Sequence, residues 1–411
     1  MARYRRGTSI RLKLAAMALS VAQTSISPID ACAAGTKPKI LDWKYVVGAE
    51  TAGAVRIVDG TLTTSYPTVG AVLHQQPDSV RSTITCTGTL IGCDAFLTAA
   101  HCVAEDKDKT HYQVFLQHGG LFDVSSIDWP KRDYRSPNTT SGSRSDIAVL
   151  RLKKPVDGIA PQAINDDREQ ATGSASDIAG FGRTAAKNVN TGLKRFGEVI
   201  ASPCPDEFSQ SDLICWRYAP GQGANTCYGD SGGPLILSEN RDPSHPVVSG
   251  VTSGGIDLTC AGLDRAYDTS VFKNSAWIKG AADLHVPEAQ CGSVPPLELT
   301  DDRYRPFTGQ INSNFPEHVF HVTVEKVTRL RVGANIAKPI GTADEDFLQR
   351  PQLYILAGDN RDIKTAIGQC EASGQVAFCE VSSPPDNLYT IILRRDGSAG
   401  TADFQLVVSV Y

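Results

Sequence analysis

Ten of the eleven cysteines lie at or beyond residue 86. Eight of them, Cys86, Cys93, Cys102, Cys204, Cys215, Cys227, Cys260 and Cys291, fall in one region, and Cys370 and Cys379 follow later. An even set of cysteines in an exported chain points to a disulfide framework, which restricts the fold more than any other feature here. Metal ligation is the competing use, but no Cys-x-x-Cys pair occurs.

Export is itself written at the N-terminus. A basic head runs from Arg3 to Lys13, and an apolar stretch from Leu14 to Ala22 follows. Small residues then end in Ala31-Cys32-Ala33. This is the pattern of a secretory signal peptide spanning 1–33, removed with the eleventh cysteine. A lipid anchor on Cys32 is the rival reading, which Asp30 and Ala31 fit poorly. The apolar run is too short to span a membrane. The expected localisation is secreted, extracellular or periplasmic, with no membrane span.

Residues 34–56 are short, polar and free of cysteine. Residues 57–291 hold the eight cysteines and many short β-like runs, among them "TVGAVL", "DIAVLRL" and "PLIL", with one helical candidate, "SVFKNSAWIKGAADL". With 36 Gly and 23 Pro the chain is rich in turns. "CGSVPPLELTDD" reads as a linker broken by Pro295-Pro296. Residues 297–411 then alternate apolar and polar, as in "HVFHVTVEKV" and "DFQLVVSVY". That period of two predicts antiparallel strands in a small β-sandwich, with Cys370 and Cys379 closing a local hairpin. A net charge of −5 gives no reason to expect nucleic acid as a partner.

Three motifs in the middle region carry chemistry together: "LTAAHC" with His101, "SDIAVL" with Asp146 and "GDSGGP" with Ser231. A serine hydroxyl needs an adjacent base, and the base needs an acceptor that holds its tautomer. Each motif alone has a plainer reading: a structural histidine, a buried strand, a polar turn. In the order His, Asp, Ser they point to acyl transfer.

On these motifs residues 57–285 resemble the chymotrypsin/trypsin-like serine endopeptidase family. The resemblance implies an all-β fold of two six-stranded antiparallel β-barrels with a C-terminal helix, followed here by the small β-sandwich domain. It implies catalysis by His101, Asp146 and Ser231, and an oxyanion hole from the N–H groups of Gly229 and Ser231. Protein or peptide substrates are the expected partners, and no cofactor or metal is called for. A catalytically silent, protease-fold binding protein is the alternative.

The resemblance also implies activation. "IVDGT" follows Arg56, so 34–56 is expected to be an activation peptide cut at Arg56–Ile57 by an activating protease. The new α-amino group of Ile57 would pair with Asp230. Without a cysteine, nothing is expected to tether the released peptide. Asp59 stands where Gly is commoner. Family disulfides imply Cys86–Cys102, Cys204–Cys215 and Cys227–Cys260. The helix packing back on the first barrel implies Cys93–Cys291, and Cys370–Cys379 remains for the tail.

Substrate choice is where the sequence departs from the pattern. Asn225 occupies the position, six residues before Ser231, of the Asp found in trypsin-like members. Thr226, Ser253 and Gly255 are the other expected pocket residues. Counting back from Trp277 without gaps puts Ala266 in the wall and Asp268 near the floor, favouring a basic or polar substrate residue. Aligning Tyr267 instead puts Arg265 in the pocket, favouring an acidic one. The tail weakly resembles β-sandwich modules of secreted bacterial peptidases, and "DDRYRPF" and "DNRD" read as solvated loops.

Overall fold

A computed structural model describes residues 37–48, 58–77, 79, 81–138, 142–187, 190–208, 212–237, 246–284, 291–337, 350–395 and 400–411. The signal segment and the Arg56–Ile57 pair lie outside them.

Short strands and tight turns build the first barrel from Val69–Gln75, Ser82–Leu90, Ala95–Thr98, Tyr112–Leu116, Gly120–Asp128 and Ala148–Leu152, closed and antiparallel. Its interior holds Val72, Leu90, Phe96, Val114, Val124 and Leu150. In the second barrel the strand Ala175–Gly180 pairs with both Pro234–Leu237 and Arg195–Ser202. This closes a ring with Leu213–Tyr218, Asp264–Ser270 and Val247–Gly254. Arg195–Ser202 shows how sequence period sets the wall: Gly197, Val199 and Ala201 point inward, while Glu198 and Ile200 face solvent.

The helix Val271–Ala282 follows directly. Ser270 caps it, its hydroxyl accepting from the Lys273 N–H at 3.4 Å. Val271 and Ile278 pack beside Leu97 and Val149 of the first barrel and Val248 of the second, so the helix ties the two together.

The tail is a two-sheet sandwich. One sheet orders Tyr304–Ile311, Ala402–Val410, Arg329–Ile336, Val376–Ser382 and Gln369–Ser373. The other orders Lys39–Val47, Glu317–Glu325, Asn387–Arg395 and Pro351–Ala357. Its edge strand therefore comes from the segment read as a free activation peptide. In the uncut chain that segment is not free: Lys39–Val47 pairs antiparallel with Glu317–Glu325.

Two further readings change. The linker is packed, with Val294 and Leu297 buried against Tyr411 and the Leu297 N–H bonded to Gly158 O at 2.9 Å. "DDRYRPF" is not a solvated loop, since Arg303 and Phe307 are buried and the strand Tyr304–Ile311 starts within it.

The sandwich is fused to the barrels by both apolar and polar contacts. Val376 and Phe378 share a cluster with Val69, Phe115 and Phe181. Three side-chain amides bind the backbone before the strand Arg195–Ser202. Gln375 Nε2 donates to Thr191 O (2.6 Å) and Asn335 Nδ2 to Gly192 O (2.6 Å). Gln405 both accepts from the Lys194 N–H (2.8 Å) and donates to Lys194 O (2.9 Å). Buried backbone polar groups must find partners, and here the second domain supplies them.

Candidate active site

Three turns bring the motif residues to one cleft. His101 sits in a 3-10 turn, Ala100–Cys102, after the strand Ala95–Thr98. Asp146 precedes the strand Ala148–Leu152, and Ser231 precedes Pro234–Leu237. His101 and Ser231 line one cavity of about 340 Å³.

Asp146 is wholly buried. Its Oδ1 accepts from the His101 N–H at 2.8 Å and its Oδ2 from His101 Nδ1 at 2.7 Å. The Ser253 hydroxyl donates to Oδ2 at 2.5 Å, with Ser143 Oγ 2.6 Å from Ser253 Oγ. These bonds assign the ring proton to Nδ1 and leave Nε2 as the acceptor. Burial works against a charged His101. The Asp146 charge and hydrogen bond, with Glu105 adding, more than offset it, and the pKa lies above the ordinary histidine value.

The turn before Ser231 is fixed by backbone bonds from Asp230 N to Cys227 O (2.9 Å), Gly232 N to Thr252 O (2.8 Å) and Gly233 N to Asp230 O (2.8 Å). Gly229 holds φ +96°, where a Cβ would also lie 2.8 Å from Thr191 Cγ2. At Gly232, φ is +83° and a Cβ would lie 2.1 Å from Thr98 Oγ1. Only glycine fits either position without strain. Asp230 is buried beside this turn, accepting from Gly182 N (2.8 Å) and Cys227 N (2.9 Å). Burial pushes its pKa up to about 6, against the opposing pull of those two N–H groups and of Arg195.

Val58, next to the expected cleavage point, is buried against Tyr218, Cys227 and Cys260, and its carbonyl accepts from Asn225 N at 3.1 Å. Asp59 takes φ 60°, the left-handed conformation that explains why Gly is commoner there. Its carboxylate accepts from Tyr218 OH (2.7 Å) and Gly221 N (2.9 Å).

Thr226, Ser253 and Gly255 line the same cavity as His101 and Ser231. Asn225 is wholly buried behind the wall. Its Nδ2 donates to Asp264 Oδ2 at 2.9 Å, and Asp264 does line the cavity. Asp264 Oδ1 accepts three backbone N–H groups, from Ile256 (2.9 Å), Asp257 (2.9 Å) and Arg265 (2.7 Å). A carboxylate thus stands in the pocket, supplied by a residue the sequence reading did not single out.

Asp268, expected at the floor, is not brought to the pocket. It is fully buried against the strand Val247–Gly254, and a Cβ on Gly250 would lie 2.8 Å from its own Cβ. Burial drives its pKa well above the usual range. Ala266 points into the barrel core and Arg265 is exposed, so neither lines the pocket; Tyr267 does. The facing strand carries a bulge here. Thr252 pairs with Asp268 but Gly254 with Tyr267, so Ser253 is the extra residue. Freed from the ladder, Ser253 reaches Asp146.

Among the described residues five disulfides are present: Cys86–Cys102, Cys93–Cys291, Cys204–Cys215, Cys227–Cys260 and Cys370–Cys379. Cys86 and Cys102, next to His101, therefore offer no thiolate for a metal. Elsewhere among the described residues, His74 Nε2 and His111 Nδ1 both bond Asp106 Oδ2, at 2.9 and 2.7 Å. These groups satisfy one another.

A double barrel with a buried Asp146 bonded to His101, beside a glycine-bounded serine, agrees with the comparisons. The family model described as Trypsin matches residues 61–278. The chain belongs to the trypsin family. Snake venom serine proteinase 14 of Crotalus adamanteus is 30% identical over 219 residues, 49% of this chain and 81% of that protein. The thrombin-like enzyme gyroxin B1.4 of Crotalus durissus terrificus is 30% identical over 214 residues, 47% of this chain and 76% of its own length. The vitellin-degrading protease of Bombyx mori is 29% identical over 228 residues, 51% and 78%. The chain is thus a serine endopeptidase of the trypsin fold. These relatives are animal enzymes, so the bacterial character expected from the tail finds no support in them. The family match includes none of the sandwich strands.

Proposed function

We propose that this endopeptidase is exported as a zymogen, is activated by cleavage at Arg56–Ile57, and cuts after basic residues through an acyl-enzyme. His101 Nε2 takes the Ser231 proton as Oγ attacks the scissile carbonyl. Asp146 and Ser253 hold the imidazole, and the N–H groups of Gly229 and Ser231 bind the oxyanion. His101 then protonates the leaving amine, and water resolves the ester by the same path in reverse.

The basic preference rests on one observation, the Asp264 carboxylate lining the cavity shared by His101 and Ser231. A cationic side chain entering that pocket meets a fixed negative charge. Activation is supported by the seat of Val58 and by Asp230, a buried carboxylate without a close cationic partner among the described salt bridges. Export fits the five disulfides and the leader. No helix among the described residues is long and apolar enough to cross a membrane.

The test is fluorophosphonate labelling of the chain cut at Arg56, followed by peptide-library profiling. Labelling is expected to be lost in Ser231→Ala, and cleavage to follow Arg and Lys. A cut chain that takes no label is a silent homologue, and cleavage only after Asp or Glu contradicts the pocket reading.

A further inference from the structure

The strand Lys39–Val47 lies on the N-terminal side of the activation cut, yet it is built into the sandwich at the other end of the chain. Seven of its residues pair in register with Glu317–Glu325, from Lys39 opposite Glu325 to Val47 opposite Val319. Its two faces are both used. Ile40 is buried in the sandwich core, and Trp43 and Tyr45 pack against it. Val46 and Val47 meet Val319, Leu356 and Ile392 on the opposite side.

The contacts are specific as well as apolar. Trp43 and Tyr45 each meet Phe307 edge-on at 5.5 Å, and Tyr45 meets Phe320 at 4.8 Å. The Arg305 guanidinium lies over the Trp43 ring at 3.6 Å. Tyr45 OH donates to Thr308 O at 2.8 Å, and the Ile40 N–H to Asp302 O at 2.7 Å. Lys39 Nζ lies 3.3 Å from Glu325. None of these bonds involves the residues around the cut, so cleavage at Arg56 breaks none of them.

We propose that the C-terminal sandwich is the receptor for the activation segment, and that the mature enzyme is a two-chain protein in which 34–56 stays bound, without a covalent link, through the edge strand Lys39–Val47. This rests on the activation reading above. Release would uncover the Phe307 and Phe320 rings and leave the strand Glu317–Glu325 as an unpaired sheet edge, which is a template for aggregation. Retention therefore keeps the sandwich closed, and through it the Thr191–Lys194 backbone that the sandwich amides hold.

The experiment uses the full exported chain. It is cut with an Arg-specific protease and passed over a size-exclusion column in native buffer, and the peak is analysed by N-terminal sequencing and mass spectrometry. Two N-termini in equal amounts are expected, Ile57 and that of the segment, separating only in denaturant. A peak with Ile57 alone overturns the proposal. If no Ile57 terminus forms, the activation reading has failed. A second version, with an unrelated protease site placed at residues 50–55, then tests retention independently of it. In that version too, loss of the segment in native buffer overturns the proposal. Trp43→Ala/Tyr45→Ala is expected to release the segment at least about 100-fold faster, because aromatic anchors packed on a buried core dominate such interfaces. The milder Arg305→Gln keeps the core intact and is expected to speed release several-fold. Unchanged release in both variants would also refute the assignment.

Discussion

Asp264→Asn isolates the charge in the pocket from its packing. Asp264 accepts three backbone N–H bonds through Oδ1 and one from Asn225 Nδ2 through Oδ2. Alanine would orphan the three backbone donors and leave Asn225 Nδ2 only Cys260 O. Asparagine keeps an acceptor for the three backbone groups, and only the new Nδ2 then faces Asn225 Nδ2. Asn225 Oδ1 has no hydrogen-bond partner, so turning that amide over restores the pair, at the cost of the 3.3 Å bond from Nδ2 to Cys260 O. The fold should therefore survive within about 1 kcal/mol, the size of one neutral hydrogen bond.

The effect on substrate choice should be much larger. Opposite unit charges about 4 Å apart at an effective dielectric near 20 attract by about 4 kcal/mol. Desolvating the incoming cation reduces this to about 2–4 kcal/mol. At about 1.4 kcal/mol per tenfold, kcat/KM for Arg and Lys substrates should fall about 30- to 1000-fold. Matched Gln and Leu substrates should change less than about threefold. The assay is a chromogenic peptide panel differing only in that residue, with thermal melting as the control. An equal loss across the panel would mean that the residue is structural, and no loss for Arg or Lys would refute the pocket assignment.

Asp230 predicts a pH dependence. Its folded pKa of about 6 lies above the ordinary carboxylate value near 3.8, so the folded chain binds the proton more tightly. Stability from this group is present at low pH and lost as pH rises through about 4 to 6, by about 3 kcal/mol in all. Denaturant melts of the uncut chain should show that slope relative to Asp230→Asn, and cleavage at Arg56 should remove it by supplying the α-amino partner. Separately, Cys93→Ser/Cys291→Ser should lower stability by about 2–5 kcal/mol with the peptidase activity of the folded fraction retained, measured by urea unfolding and active-site titration.

The double barrel was legible through the family resemblance, and the His101–Asp146 pair through the motifs that carry it, whose signals are local. Period-two runs, a glycine-bounded serine and an Asp before an apolar strand each lie within a few residues. Asp264 was not legible, because it lies four residues before Asp268, at the start of the strand Asp264–Ser270, and only the fold brings that end to the cavity. Counting back from Trp277 lands on Asp268, which the fold buries against the strand Val247–Gly254 instead. Lys39–Val47 was missed for another reason. Ile40, Trp43 and Tyr45 carry a strand signal, but the partner lies at Glu317–Glu325, and no local pattern names it. The polar character of the tail charges misled in the same way, since Arg303 and Arg305 find their partners only in the folded sandwich.

The pairing of Lys39–Val47 with Glu317–Glu325 also sets an order of events in synthesis. The first strand of the folded chain is among the first to be made, and its partner is made about 280 residues later. At about 5–20 residues per second, that is roughly fifteen seconds to a minute. Throughout that interval an aromatic strand lacks its sheet, and the barrels lack Val376, Phe378 and the amides that cap their backbone. The barrels therefore keep part of their surface open until the sandwich strands that cover it have been made.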